Sequence, residues 1–390
     1  MNKDKTKFFL VEALLSLLER KPYEQLTIQE IAKEAYVSRT SFYNHFSSKE
    51  EIITFHLTHL SRPVFAHYKE VGFSFKKYLC AYIEMMYKNR TFFDFVRENQ
   101  LTALVLKELQ SQSEQHALFT TTDSANGTSA SFIAYETALT FLSIDWFLDH
   151  VAEPDVAAVT EIIYQTRKIG YGKTTTSPQK SWEPLLIQAA EKEHPSARKT
   201  KQRLYQSLDE LLIDTPPAEI SVTRLCKQAQ AARCSFYRHF SGTEDLIQQR
   251  ISEIYKEAIL SIPSTGRLIG YGSVLDVCFQ HYQKHQQFFC ALGKWRYELV
   301  ALRTYSSVYP VLEKHLPYIH QYIPIRPYAR DYYHWFIAIQ HILPVMMYYA
   351  GELSFEQESF ASFGCGVHAF RYRPFEQEEV SASSYEAVMV

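Results

Sequence analysis

The chain has 390 residues with a formal net charge of −2 and 46% apolar residues, enough to bury sizeable cores in about two to four domains. A charge so near zero excludes an unstructured polybasic binder, so any affinity for nucleic acid must come from local patches. Six cysteines, Cys80, Cys226, Cys234, Cys278, Cys290 and Cys365, form no Cys-x-x-Cys pair, which fits reduced thiols inside a cell.

In chain order, Lys7 to Leu18 places Phe8, Val11, Leu14, Leu15 and Leu18 at the spacing of one helix face. Lys3, Lys5 and Lys7 before this stretch imitate a signal peptide, but Glu12 interrupts it and no small-residue cleavage site follows. A turn comes at Lys21-Pro22-Tyr23. Thr27, three residues before Glu30, forms a capping box that opens a short helix with Ile28, Ile31 and Ala32 inward, ending near Ala35. After a turn at Tyr36-Val37, Ser38 caps a second short helix, Arg39 to Phe46. It turns Phe42 and Phe46 inward and leaves Arg39, Thr40, Ser41, Tyr43 and Asn44 outward. Ser47 with Glu50 reads as another capping box, starting a helix through Ile52, Ile53 and Leu57. Two short helices joined by a tight turn, the second polar and cationic, make a helix-turn-helix whose second helix enters the DNA major groove.

The unit returns. Ser41-Phe42-Tyr43-Asn44-His45-Phe46-Ser47 is answered by Ser235-Phe236-Tyr237-Arg238-His239-Phe240-Ser241. The same offset of 194 residues carries Thr27 onto Ser221, Pro22 onto Pro216, and Leu10, Leu14, Leu17 and Leu18 onto Leu204, Leu208, Leu211 and Leu212.

The order Thr-x-x-Glu-Ile-Ala-x-x-Ala-x-Val-Ser-x-x-Ser-Phe-Tyr-x-His-Phe-x-Ser-Lys-Glu, from Thr27 to Glu50, resembles the DNA-binding domain of TetR/AcrR-type transcriptional regulators. The resemblance implies base-edge contacts from Arg39, Thr40, Ser41 and Asn44, and phosphate contacts from Thr27, Tyr43, His45 and Lys49. In the second copy it implies base contacts from Arg233, Cys234, Ser235 and Arg238, and phosphate contacts from Ser221, Tyr237, His239 and Thr243. These roles suit the chemistry: Arg bonds guanine bidentately and Asn bonds adenine, while Tyr hydroxyls and Lys suit phosphate oxygens. Three departures stand out. Where such regulators carry Gly in the turn, this chain has Tyr36 and Gln230, so a side-chain-bearing residue must take the left-handed conformation. The second copy has Ala232 where the first has the capping Ser38, and Thr243 where the first has Lys49.

Beyond the heads, Phe73 to Tyr87, Arg90 to Leu109, Ala130 to His150 and Pro154 to Ile169 read as helices, with a polar interval from about Ser111 to Ser129. Lys88, Phe92 and Phe93 answer Lys284, Phe288 and Phe289, so the second half repeats the helix order. The expected fold is all-α. Each of two units joins a three-helix DNA-binding head to a helical regulatory domain: 1–60 and 61–170, a linker at 171–197, then 198–257 and 258–373, with a frayed tail at 374–390. A short helix is expected within the linker at Trp182 to Glu191. The resemblance implies dimers joined through the last two regulatory helices. Here Ala130 to His150 and Pro154 to Ile169 would meet Tyr328 to Ala350 and Ser354 to Phe370 within one chain, as a pseudo-dimer.

Tyr82, Met86, Phe93 and Tyr135, with Phe279, Tyr282, Phe289 and His334, suit either an apolar pocket with polar tips for a small effector or the ordinary core of a helix bundle. His281 and His285 stand at i, i+4 with no third ligand evident nearby, so neither a metal nor another cofactor is expected. No phosphate-cradling glycine loop, nucleophile elbow or carboxylate cluster points to an enzyme. The expected protein is a cytoplasmic repressor, not membrane-bound, that reads an asymmetric bipartite operator in double-stranded DNA and is released by a small apolar ligand. Activation instead of repression remains open. So does a partner-binding protein with degenerate heads that make no DNA contact.

Overall fold

A computed structural model describes residues 3–71, 74–116, 130–170, 195–261, 271–295, 297–313 and 327–351; among these every regular element is a helix. The chain divides into two compact units, Met1–Lys168 and Ile169–Phe370, a boundary that falls inside one helix.

The first unit opens with α1 (Lys3–Leu18), a 3-10 turn (Tyr23–Gln25), α2 (Ile28–Glu34) and α3 (Arg39–Tyr43). Then come α4 (Lys49–Val71), α5 (Phe75–Lys88), α6 (Arg90–Glu98), α7 (Thr102–Gln115), α8 (Ala130–His150) and α9 (Val156–Gly170). In the second unit, α10 (Pro195–Leu212), a 3-10 turn (Pro217–Glu219), α11 (Val222–Gln228), α12 (Arg233–Tyr237) and α13 (Thr243–Leu260) follow the same order. It continues with α14 (Tyr271–Gln283), α15 (Gln286–Lys294), α16 (Glu298–Glu313) and α17 (Pro327–Tyr349).

The heads repeat in their cores. Leu10, Leu14, Leu26, Ile31, Ala32, Phe42, Phe46, Ile52 and Ile53 are buried, and so are Leu204, Leu208, Ile220, Leu225, Cys226, Phe236, Phe240, Leu246 and Ile247 at the same offset. The bundles pair their helices alike. α4 packs on α5 and α7, and α8 on α6 and α7, while α13 packs on α14 and α16, and α17 on α15 and α16.

Several sequence expectations shift. α1 begins four residues earlier than the apolar spacing suggested. α4 and α13 run unbroken from head into bundle, so boundaries at 60 and 257 fall inside helices. The single helix expected from Arg90 to Leu109 is two, because Gln100 turns left-handed at φ 57. Leu101 N–H then bonds the Val96 carbonyl at 2.9 Å, and Gln100 N–H bonds the Arg97 carbonyl at 3.3 Å, which closes α6 in a Schellman turn. The polar interval from Ser111 is helical as far as Gln115, since buried Gln112 accepts from Ser61 and donates to Thr58 at 3.2 Å, and Ser113 accepts from Thr137 at 3.0 Å. Pro195 to Ala197 belong to α10 rather than to the linker. The helices expected at Trp182 to Glu191 and Ser354 to Phe370, the rest of the linker and the tail lie outside the described residues.

Candidate nucleic-acid interface

The turn between α2 and α3 decides where the outward face points. Tyr36 adopts φ 55, its N–H bonding the Lys33 carbonyl at 3.1 Å, and Val37 N–H reaches back to the Ala32 carbonyl at 2.9 Å. Gln230 repeats this at φ 49, with Ala231 bonded to Cys226 at 2.9 Å. Both are Schellman turns in which the left-handed position carries a side chain, at a cost of about 1 kcal/mol. Tyr36 is 97% exposed and returns no packing for that strain. Tyr36→Gly and Gln230→Gly are therefore each expected to stabilise their head by about 0.5–1 kcal/mol in chemical denaturation; a loss of stability on both would contradict the strain.

Ser38 Oγ accepts from Ser41 N–H at 3.0 Å and caps α3, while Ala232 offers α12 no such bond. The recognition helices are shorter than Arg39 to Phe46 suggested, ending at Tyr43 and Tyr237, although Phe46 and Phe240 N–H still bond back to the Phe42 and Phe236 carbonyls. Phe42 and Phe236 are fully buried and fix the inward side of each short helix. Arg39, Thr40, Tyr43 and Asn44 are exposed, as are Arg233, Cys234, Tyr237 and Arg238, with Ser41, His45, Ser235 and His239 half-buried beside them. The Arg39 guanidinium lies 5.7 Å from the Tyr43 ring centroid. The expected base-reading and tyrosine positions of both heads are thus exposed, apart from half-buried Ser41 and Ser235.

The remaining phosphate positions behave differently. Lys49 Nζ donates to the backbone carbonyls of Tyr23 at 2.7 Å, Leu26 at 3.2 Å and Glu24 at 3.4 Å, and sits 4.2 Å from the Tyr23 ring centroid. Thr243 Oγ1 donates to the Ile220 carbonyl at 2.9 Å. Both tie the start of the fourth helix to the residue before the preceding cap. Fourth-helix capping also falls one residue later than expected: Glu51, not Glu50, closes on Ser47, accepting from its N–H at 2.6 Å. Glu50 instead accepts from the Tyr23 hydroxyl at 3.0 Å.

Thr27 is closed in its capping box, its N–H and hydroxyl both donating to Glu30 Oε2 at 2.9 and 2.8 Å, with Lys21 on the other carboxylate oxygen at 2.8 Å. Hydrogen bonds from Lys21 and Thr27 hold the Glu30 carboxyl down at about 2. That contribution is present above the ordinary value of 4.5 and fades as pH falls toward 2. Glu30→Gln should erase an acid loosening of the first head across that window, read by hydrogen exchange at α2; an identical response in both proteins would contradict this. In the second head Arg224 stands at the matching position, and Ser221 only accepts from its N–H at 3.2 Å. Exposed Arg224 therefore puts a cation where the first head holds a carboxylate, a difference legible from the repeat offset alone.

Each head is anchored on its own bundle. In the first unit Asn99 Oδ1, at the end of α6, accepts from Tyr23 N–H at 3.1 Å, and Phe95 meets the Tyr23 ring. In the second, Trp295 Nε1 and Lys294 Nζ donate to the Leu212 and Ile213 carbonyls at 2.6 and 2.7 Å. The expected effector residues Tyr82, Met86, Phe93, Tyr135, Tyr282, Phe289 and His334 are all buried, and Phe279 is half-buried. Tyr282 and Phe289 pack edge to face, and both rings meet Tyr255. The Tyr82 hydroxyl is buried without a hydrogen-bond partner. No helix among the described residues is long and apolar enough to cross a membrane.

No curated protein matches the chain. Residues 10–54 match the family of bacterial regulatory proteins described as the tetR family, a segment running from the middle of α1 to the first turns of α4. The first head is thus similar to tetR-family regulators, and this supports a DNA-binding transcription regulator.

Proposed function

We propose that this chain carries two non-identical DNA-reading heads and does alone what a homodimeric regulator does with two subunits. The observation that carries the reading is the doubled face: a buried Phe42 or Phe236 beneath exposed Arg39, Thr40 and Asn44 on one head and exposed Arg233, Cys234 and Arg238 on the other. Two such faces differ at the residues that would touch bases, so the operator is asymmetric and bipartite. Tyr43 and Tyr237, with Arg224 on the second head, hold the backbone. Lys49 and Thr243 support the heads from within. A small apolar effector that favours one arrangement of the heads would release the DNA, giving repression.

Arg238→Ala is the sharp test. If Arg238 bonds a guanine, its loss costs about 1–3 kcal/mol of discrimination at one position of one half-site and leaves the other half-site unchanged. Binding by the intact chain should also weaken steeply with salt, through counterion release. Salt-insensitive binding that Arg238→Ala leaves unaltered would overturn the reading and favour a partner-binding protein.

A further inference from the structure

Away from both recognition helices, three metal-ligating side chains of the second unit converge. His281 lies near the end of α14, and His285 in the corner where α15 begins rather than on the same helix; their ring centroids are 5.4 Å apart. Glu257 supplies the third group that sequence spacing did not reveal, arriving from α13 with Oε2 3.5 Å from His281 Nε2. One ligand atom from each residue lies within 4.8 Å of the other two. His281 Nε2 is buried and makes no hydrogen bond, so the 3.5 Å approach leaves it unsatisfied. As two ligands on one tetrahedral ion the same atoms would be well placed, since bonds of about 2.0–2.1 Å set ligands roughly 3.4 Å apart.

We propose that Glu257, His281 and His285 form a binding site for a divalent transition metal of the zinc class, with a fourth position open to water. Two imidazoles and one carboxylate are a ligand set that zinc accepts, and nitrogen with oxygen donors in this number also admits cobalt. Arg250 and Lys284 are the cations that oppose the ion. Asp209 offsets the first of them, lying 2.7 Å from Arg250 Nη2.

The site is wired to the second head. Arg250 Nη2 also approaches His285 Nδ1 at 3.2 Å, and Asp209 belongs to α10, the first helix of that head. A metal bound through Nδ1 takes the lone pair that Arg250 faces. A metal bound through Nε2 leaves the ring proton on Nδ1. Either way Arg250 loses His285 as an acceptor, and the tie between α13 and α10 is altered. The matching positions of the first unit are Pro63, Met85 and Asn89, which offer no such set, so the effect is confined to one head. The site itself does not depend on the heads binding DNA.

The test is titration of the untagged full chain with Co²⁺, read by visible absorption of the four-coordinate ion and by displacement with Zn²⁺. The expected result is saturable absorption that Zn²⁺ abolishes. Glu257→Gln and His281→Asn should each weaken binding by at least about tenfold, with helical circular dichroism unchanged. Glu257 is exposed, so its replacement does not challenge folding. Absence of saturable absorption, or titrations that neither substitution alters, would overturn the site.

Discussion

Arg167→Met is expected to destabilise the first unit by about 3–5 kcal/mol, the usual consequence of stranding one charge of a buried pair. Arg167 Nη1 lies 3.0 Å from Glu136 Oε2, Nη2 donates to Thr140 Oγ1 at 2.8 Å, and the guanidinium stacks 4.7 Å from the Phe75 ring centroid. The two side chains are 2% and 0% exposed, so no water replaces the lost partner. The pair clamps α9 to α8, the helices that the family resemblance assigns to dimer contacts. Arg167→Met with Glu136→Leu should recover most of the loss, because both desolvated charges then disappear together. Thermal unfolding of the two variants checks this. A cost below about 1 kcal/mol for Arg167→Met alone would mean that the pair contributes little.

Phe236→Ala should cost the second head about 3–5 kcal/mol, and Phe42→Ala the first head the same. Both rings are fully buried, each meeting the following tyrosine and the phenylalanine four residues on. Heads of this size have little stability to lose, so each variant should melt one head while its bundle stays helical. Protection of operator DNA should then vanish from one half-site for Phe42→Ala and from the other for Phe236→Ala. If both variants lost the same half-site, the heads would not divide the operator.

The heads were legible in the sequence because their determinants are local. Thr27 with Glu30 and Ser38 with Ser41 act within one helical turn, and the repeat returned the apolar core positions and the Ser221 cap at a fixed offset. The left-handed Tyr36 and Gln230 were readable as well, since the Schellman geometry demands that conformation whatever residue fills it. Legibility ended where the cause was distant in sequence. Gln100 breaks Arg90 to Leu109 without a glycine to announce it. Gln112 and Ser113 look like loop residues until Ser61 and Thr137 arrive to bond them. Nothing near Lys49 in the sequence announces that the Tyr23, Glu24 and Leu26 carbonyls, more than twenty residues earlier, will surround its ammonium. Glu257 lies 24 residues before His281, and only the packing of α13 on α14 brings them together.

On the proposed function, one chain reads two different half-sites. Selection of bound duplexes from random DNA by the purified protein, with the mass of the recovered complex measured alongside, tests it most directly. The expected result is a bipartite motif with unlike halves, bound by a single chain. A palindrome bound by two chains would contradict it, and so would well-folded protein that enriches no sequence with or without cell extract.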